Sequence, residues 1–106
     1  MNPVDVQLVT YNAQDLDAYC ACFAESVLIE DGAGTVISRG KAAMRDNYAR
    51  MFAAYPDNHC EVLHRIEIGC YIVDHERITG RGPDPVFVVA VYRVADGLIQ
   101  HVRFLK

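Results

Sequence analysis

Apolar residues recur at helical spacing in the first quarter of the chain and again after Gly40, whereas from Cys60 onward they follow strand patterns. Asn2-Pro3 pairs a capping residue with proline at the first helical position. Val4, Leu8 and Tyr11 then share a face, which predicts a helix to about Ala13. Asp15 is placed to cap a second short helix in which Leu16, Tyr19, Cys20 and Phe23 keep i, i+3, i+4, i+7 spacing. Ser26 to Glu30 reads as a short strand ending at Asp31-Gly32, with Gly34 to Ser38 returning beside it. Met44, Tyr48, Met51, Phe52 and Tyr55 mark a third helix, stopped by Pro56-Asp57-Asn58.

The second half is built of two hairpins. Gly69 at the first central position of a two-residue turn predicts a type II′ hairpin of Glu61–Ile68 with Tyr71–Thr79. That register sets Ile68 against Tyr71, Ile66 against Val73 and His64 against His75 on one face, and Arg65 against Asp74 on the other. The first face is the more apolar and is expected to look inward. A Gly/Pro loop, Gly80 to Pro85, leads to a hairpin of Val86–Val94 with Leu98–Leu105 around Asp96-Gly97. Two-residue and bulged three-residue turns both fit there, so either His101 or Gln100 is expected across from Tyr92.

Helices first and strands afterwards favour an α+β domain, one unit over residues 1–106, since neither a repeat nor a long linker divides the chain. A net charge of −4 disfavours a nucleic-acid partner. No apolar run reaches the roughly 20 residues of a membrane span and no export signal is evident, so the expected location is cytoplasmic, with no membrane partner. The four cysteines, Cys20, Cys22, Cys60 and Cys70, read as reduced thiols. Cys20 and Cys22 are two apart on a helix and point to different sides, so neither a metal site nor a cofactor is expected.

Several segments together resemble the nuclear transport factor 2-like superfamily, which includes the SnoaL-like polyketide cyclases, the ketosteroid isomerases and the limonene epoxide hydrolases. They are Tyr11-Asn12-Ala13-Gln14-Asp15-Leu16-Asp17-Ala18-Tyr19, Phe23-Ala24-Glu25-Ser26-Val27, Ile29-Glu30-Asp31, Gly40-Lys41-Ala42-Ala43-Met44 and Tyr92-Arg93-Val94-Ala95-Asp96-Gly97-Leu98-Ile99. The resemblance implies a cone: N-terminal helices packed on a curved antiparallel sheet that encloses an apolar pocket, with homodimers common. It aligns the general base of the ketosteroid isomerases with Asp31 and a pocket-lining aromatic with Tyr48. Their oxyanion tyrosine falls at Gln7, and their protonated aspartic acid near Val89 or Ala90, neither of which can donate a side-chain hydrogen bond.

Asp31 is read either as the acid/base carboxylate at a pocket mouth or as the aspartate of an Asp-Gly turn. His75, on the face expected to look inward, is a candidate acid, base or donor, against the reading of a satisfied core histidine. Tyr11, Tyr48, Phe52 and Tyr92 are candidate pocket walls, against ordinary core. Glu76 is a further substrate-binding candidate because it resembles a glutamate recurrent in SnoaL-like sequences with an Asp-His-Glu strand; the alternative is that it faces away from His75 and only pairs with Arg65. These readings describe a small-molecule pocket protein, a cofactor-independent isomerase or cyclase acting on an apolar carbonyl compound; the alternative is a non-catalytic ligand-binding or homodimerisation module.

Overall fold

In the computed structural model, which describes residues 2–106, the Asn2 side chain accepts the amides of Val4 and Asp5 at 2.9 and 3.0 Å and starts helix α1, Pro3–Asn12. These bonds satisfy donors that a helix start leaves free. Val4, Gln7 and Tyr11 form its buried face. Asp15 caps α2, Leu16–Cys20, by accepting the Ala18 amide. The chain is already extended at Phe23, which begins β1, Phe23–Asp31, instead of continuing the helix as its spacing suggested. A short β2, Val36–Arg39, turns back on β1, and Gly40 with φ +88° admits α3, Lys41–Ala54.

Four strands follow: β3 (His59–Ile68), β4 (Tyr71–Thr79), β5 (Val86–Ala95) and β6 (Leu98–Leu105). With β1 and β2 they form one curved, open six-stranded sheet in the order β2-β1-β6-β5-β4-β3. All neighbours are antiparallel except β1 and β6, which pair in parallel across nearly the whole chain. The helices lie on one face only, with α1 over β3 and β6 and α3 over β1 and β2. One side chain fastens α1 to the sheet edge through two bonds: Asn12 donates to the Cys60 carbonyl at 2.9 Å and accepts the Cys60 amide at 2.8 Å.

The β3–β4 register is the expected one, but its faces are reversed. Ile66 pairs with Val73, His64 with His75 and Arg65 with Asp74, yet Ile66 and Ile68 are 64% and 69% exposed while Asp74 is wholly buried. Ile72, Asp74, Glu76 and Ile78 therefore face the helices, and Tyr71, Val73, His75 and Arg77 face away. Alternation favoured the other face, because Ile66 and Ile68 of β3 add to it while Asp74 and Glu76 stand on the inner one. The last hairpin turns through Asp96 and Gly97 at φ +56° and +74°, a two-residue turn. A bulge at Gln100 then shifts the register, so that Val102 lies opposite Tyr92 and His101 opposite Arg93. Among the described residues no helix is long and apolar enough to cross a membrane.

The loop after β4 depends on one glycine. Gly80 has φ +88°, and a Cβ there would sit 2.1 Å from the Asp57 carbonyl oxygen, so backbone of the turn between α3 and β3 lies directly against it. Gly69 also has positive φ, +56°, but nothing within 4 Å. Gly69→Ala is expected to lose only the cost of a left-handed residue, about 1–2 kcal/mol, and Gly80→Ala at least about 3 kcal/mol from that cost plus the clash. Urea denaturation of both variants checks the difference; equal losses would contradict the close approach.

Candidate functional site

The concave face of the sheet and the helices above it leave a cavity of about 230 Å³. Its walls are largely apolar and aromatic: Leu8, Ile29, Ile78, Val88 and Phe104, with Tyr11, Tyr19, Tyr48 and Tyr92. Tyr19 and Tyr48 pack with ring centroids 4.7 Å apart, and Tyr11 meets Phe52 at 5.7 Å. Phe52 is buried in this aromatic cluster and does not reach the cavity, whereas Tyr11, Tyr48 and Tyr92 line it as expected.

Glu76 is the acid of the cavity. Its side chain lies on the inner face of β4, 4% exposed, and the Tyr92 hydroxyl donates to its Oε2 at 3.3 Å. Burial disfavours the carboxylate form and the negative charge of Asp74 on the same face disfavours it further. Hydrogen bonds from Tyr92 and Cys60, and the more remote Arg65, oppose these only in part, leaving the pKa raised to about 7. Burial also pushes the neighbouring Cys60 thiol up to about 12 and the Tyr48 hydroxyl to about 12, so both remain protonated donors at neutral pH.

Arg65 does not pair with Glu76. Its Nε and Nη2 bind the two carboxylate oxygens of Asp74 at 2.7 and 2.9 Å, and its Nη1 binds Asp5 of α1. With its fork taken by these two acids, Glu76 is left without a cation in contact. A second arginine, Arg81, reaches the cavity from the glycine-flanked loop after β4. Its Nε donates to Asn58 Oδ1 at 2.7 Å and its Nη2 to the Tyr11 hydroxyl at 3.0 Å; Asn58 Nδ2 also donates to Tyr11, at 2.6 Å.

Two candidates lie elsewhere. Asp31 ends β1 at the rim of a shallow groove with Ile37 and Phe104, outside the lining of the main cavity. Its Oδ1 accepts the amides of Ala33 and Thr35, each at 2.9 Å, so the carboxylate is engaged in shaping its own turn. His75 is on the opposite side of the sheet from the cavity, stacked on His64 at 6.0 Å and 6.3 Å from Phe87. The reversal of faces that put His75 outside put Glu76 inside. Arg81, Asn58, Cys60 and Ser38 were not among the expected site residues. An arginine between two glycines was the one visible signal, and it sat in a segment that reads as a plain loop. No group of three His, Cys, Asp or Glu among the described residues is placed to hold a metal ion, and all four cysteines are unpaired.

The sequence profile of the SnoaL-like domain family matches residues 7–102. The chain belongs to this family. The fold recurs in an uncharacterised cystatin-fold protein from Novosphingobium aromaticivorans, 29% identical with a TM-score of 0.90 over 98% of this chain and 95% of that one. It recurs also in a candidate polyketide cyclase from Sinorhizobium meliloti (22% identity, TM-score 0.84, 96% and 92% covered) and in an LEH-like epoxide hydrolase from M. tuberculosis (20%, 0.80, 97% and 78%). No curated protein matches the sequence significantly. The nuclear transport factor 2-like α+β cone is thereby established for this SnoaL-like chain, while neighbours with such different descriptions leave the chemistry to be argued from its own residues.

A carboxyl raised by folding leaves a signature in stability. Between the ordinary glutamate value of 4.5 and about 7 the folded protein holds a proton that the unfolded chain releases, so stability falls as pH rises through this window and levels off above it. Urea denaturation at pH 5 and pH 8 is expected to show Glu76→Gln gaining roughly 2–3 kcal/mol relative to the unsubstituted protein between the two pH values. A constant difference would contradict the raised pKa.

Proposed function

We propose that the protein binds an apolar carbonyl compound in this cavity and transfers a proton on it without a cofactor, as an isomerase or cyclase, with Glu76 as the acid/base. The supporting observation is the position of Glu76: among the described residues it is the one acidic side chain lining the cavity, and its raised pKa matches the pH at which it must both take and return a proton. As carboxylate it removes a proton from the carbon next to the substrate carbonyl; as the acid it returns that proton at the site of the new C–H bond. Tyr48, kept neutral by burial, donates to the oxygen on which the enolate charge develops. Tyr92 orients the Glu76 carboxyl through its hydrogen bond.

Deuterium exchange at the carbon next to the carbonyl of small cyclic ketones, followed by NMR, tests this assignment. Glu76→Gln is expected to slow exchange at least about 100-fold, while Asp31→Asn and His75→Asn retain it. The rate is expected to rise with pH through the Glu76 pKa of about 7 and to level off above it. Exchange that survives in Glu76→Gln and is lost in Asp31→Asn would return the role to Asp31.

The outer face of the sheet favours a second, compatible role in homodimerisation. Ile66, Ile68 and Tyr71 stand exposed beside Val73, and Phe87 and Leu105 extend the apolar surface along β5 and β6. A contiguous exposed patch of this kind is the usual mark of an interface. Sedimentation velocity is expected to give a dimer for the protein and a monomer for Ile66→Lys; a monomeric unsubstituted protein at micromolar concentration would remove the proposal.

A further inference from the structure

Arg81 is a cation in a largely apolar cavity, and no acidic side chain among the described residues comes within ion-pair distance of it. Arg65, by contrast, is saturated by two carboxylates. A half-buried guanidinium without a counter-ion is costly unless a ligand supplies the missing charge. Its placement is also constrained. Gly80 and Gly82, at φ +88° and +150°, flank it, and Gly80 lies against the Asp57–Asn58 backbone. Asn58, 3% exposed, holds both the guanidinium, through Nε, and the Tyr11 hydroxyl, through its own amide.

The bonds that hold Arg81 leave part of its fork free. Nε and Nη2 are engaged, whereas Nη1 has no acceptor in the described protein. The Tyr11 oxygen accepts two bonds, one of them from the cation, so its own O–H remains to donate. The protein offers that proton only the Met51 thioether, at 3.9 Å, a weak acceptor. Arg81 on the lining thus has a planar N–H donor to spare and Tyr11 a polarised hydroxyl, and both suit one kind of partner, an oxygen anion. Ser38 adds a further unmet group: its hydroxyl is buried in the same lining and has no hydrogen-bond partner.

We infer that the natural ligand is a monoanionic carboxylic acid on an apolar body, its carboxylate seated on Arg81 Nη1 and the Tyr11 hydroxyl. This inference rests on the proposed use of the cavity and narrows the carbonyl compound to an oxo acid: the carboxylate binds Arg81 and Tyr11, while the carbon beside the carbonyl faces Glu76. The Ser38 hydroxyl is available to a second oxygen of the ligand. Lys106, the other cation on the lining among the described residues, is exposed to solvent, so one negative charge matches the half-buried Arg81. The second charge of a phosphate dianion would be left among aromatic rings.

Calorimetric titration at pH 6, where Glu76 is largely protonated and benzoate is ionised, tests this with benzoate and cyclohexanecarboxylate against benzamide and cyclohexanecarboxamide. The acids are expected to bind at least about 10-fold more tightly than their isosteric amides, as charge-assisted hydrogen bonds to a fork require. Arg81→Gln is expected to abolish that preference with little change in amide affinity, and Arg81→Lys to retain part of it. Glu76→Gln is expected to keep the preference even though it stops proton exchange, which separates this inference from the catalytic assignment. Acids and amides binding alike, no binding by either, or a preference that survives Arg81→Gln would each overturn the carboxylate site. The comparison in the unsubstituted protein decides the matter even if an Arg81 variant fails to fold.

Discussion

Arg65 holds Asp74 through two parallel N–H bonds and Asp5 through a third, and this link joins β3, β4 and α1 across the concave face of the sheet. Asp74 is completely buried, so its charge is tolerable only while the guanidinium stays in place. The geometry has two effects. It fixes the first helix above the sheet, assisted by the reciprocal Asn12–Cys60 bonds, and so sets one wall of the cavity. It also uses the arginine fully on two acids, leaving a third, Glu76, two residues further along the same face with only neutral donors touching it. Burial does most to raise the pKa of Glu76, and the ion pair beside it adds to the effect: Asp74 contributes negative charge that Arg65 neutralises incompletely at the position of Glu76.

The cavity shows the same separation of charges on a larger scale. Its acid sits on the inner face of β4, while a half-buried, unpaired arginine comes from a loop between glycines, positioned by Asn58 and Tyr11. Aromatic rings occupy much of the lining and limit the water that could screen these groups. Proteins that share this cone are described as a candidate cyclase and as an epoxide hydrolase, which fits a scaffold whose curvature is fixed by packing and whose chemistry depends on a few inward positions.

Most of the architecture was legible in the order of elements. The capped helices, the Gly40 helix and both hairpins are where the spacing of apolar residues put them, because each is held by short-range rules: caps, turn glycines and 3.6- or 2-residue periods. The site was less legible. Tyr11, Tyr48, Tyr92 and Glu76 do line one cavity, but Glu76 was expected to face away from His75 toward Arg65, and Asp31 and His75 were expected near the ligand. A sheet covered by helices on one side and apolar on both gives no local sign of which side is which. In β4 the inward set contains two acids, a composition that alternation alone would assign to solvent.

The sequence by itself determined the elements, the β3–β4 register and the family, since these follow from patterns within a few tens of residues and from residue identities along the chain. Only the tertiary structure decided the parallel pairing of β1 with β6, the bulge at Gln100 and the reversal of faces that carries Glu76 inward and His75 outward. Each depends on contacts between distant segments. The inward face is the one where Arg65 can reach both Asp74 and Asp5, and no local pattern records that the first helix would supply the second acid.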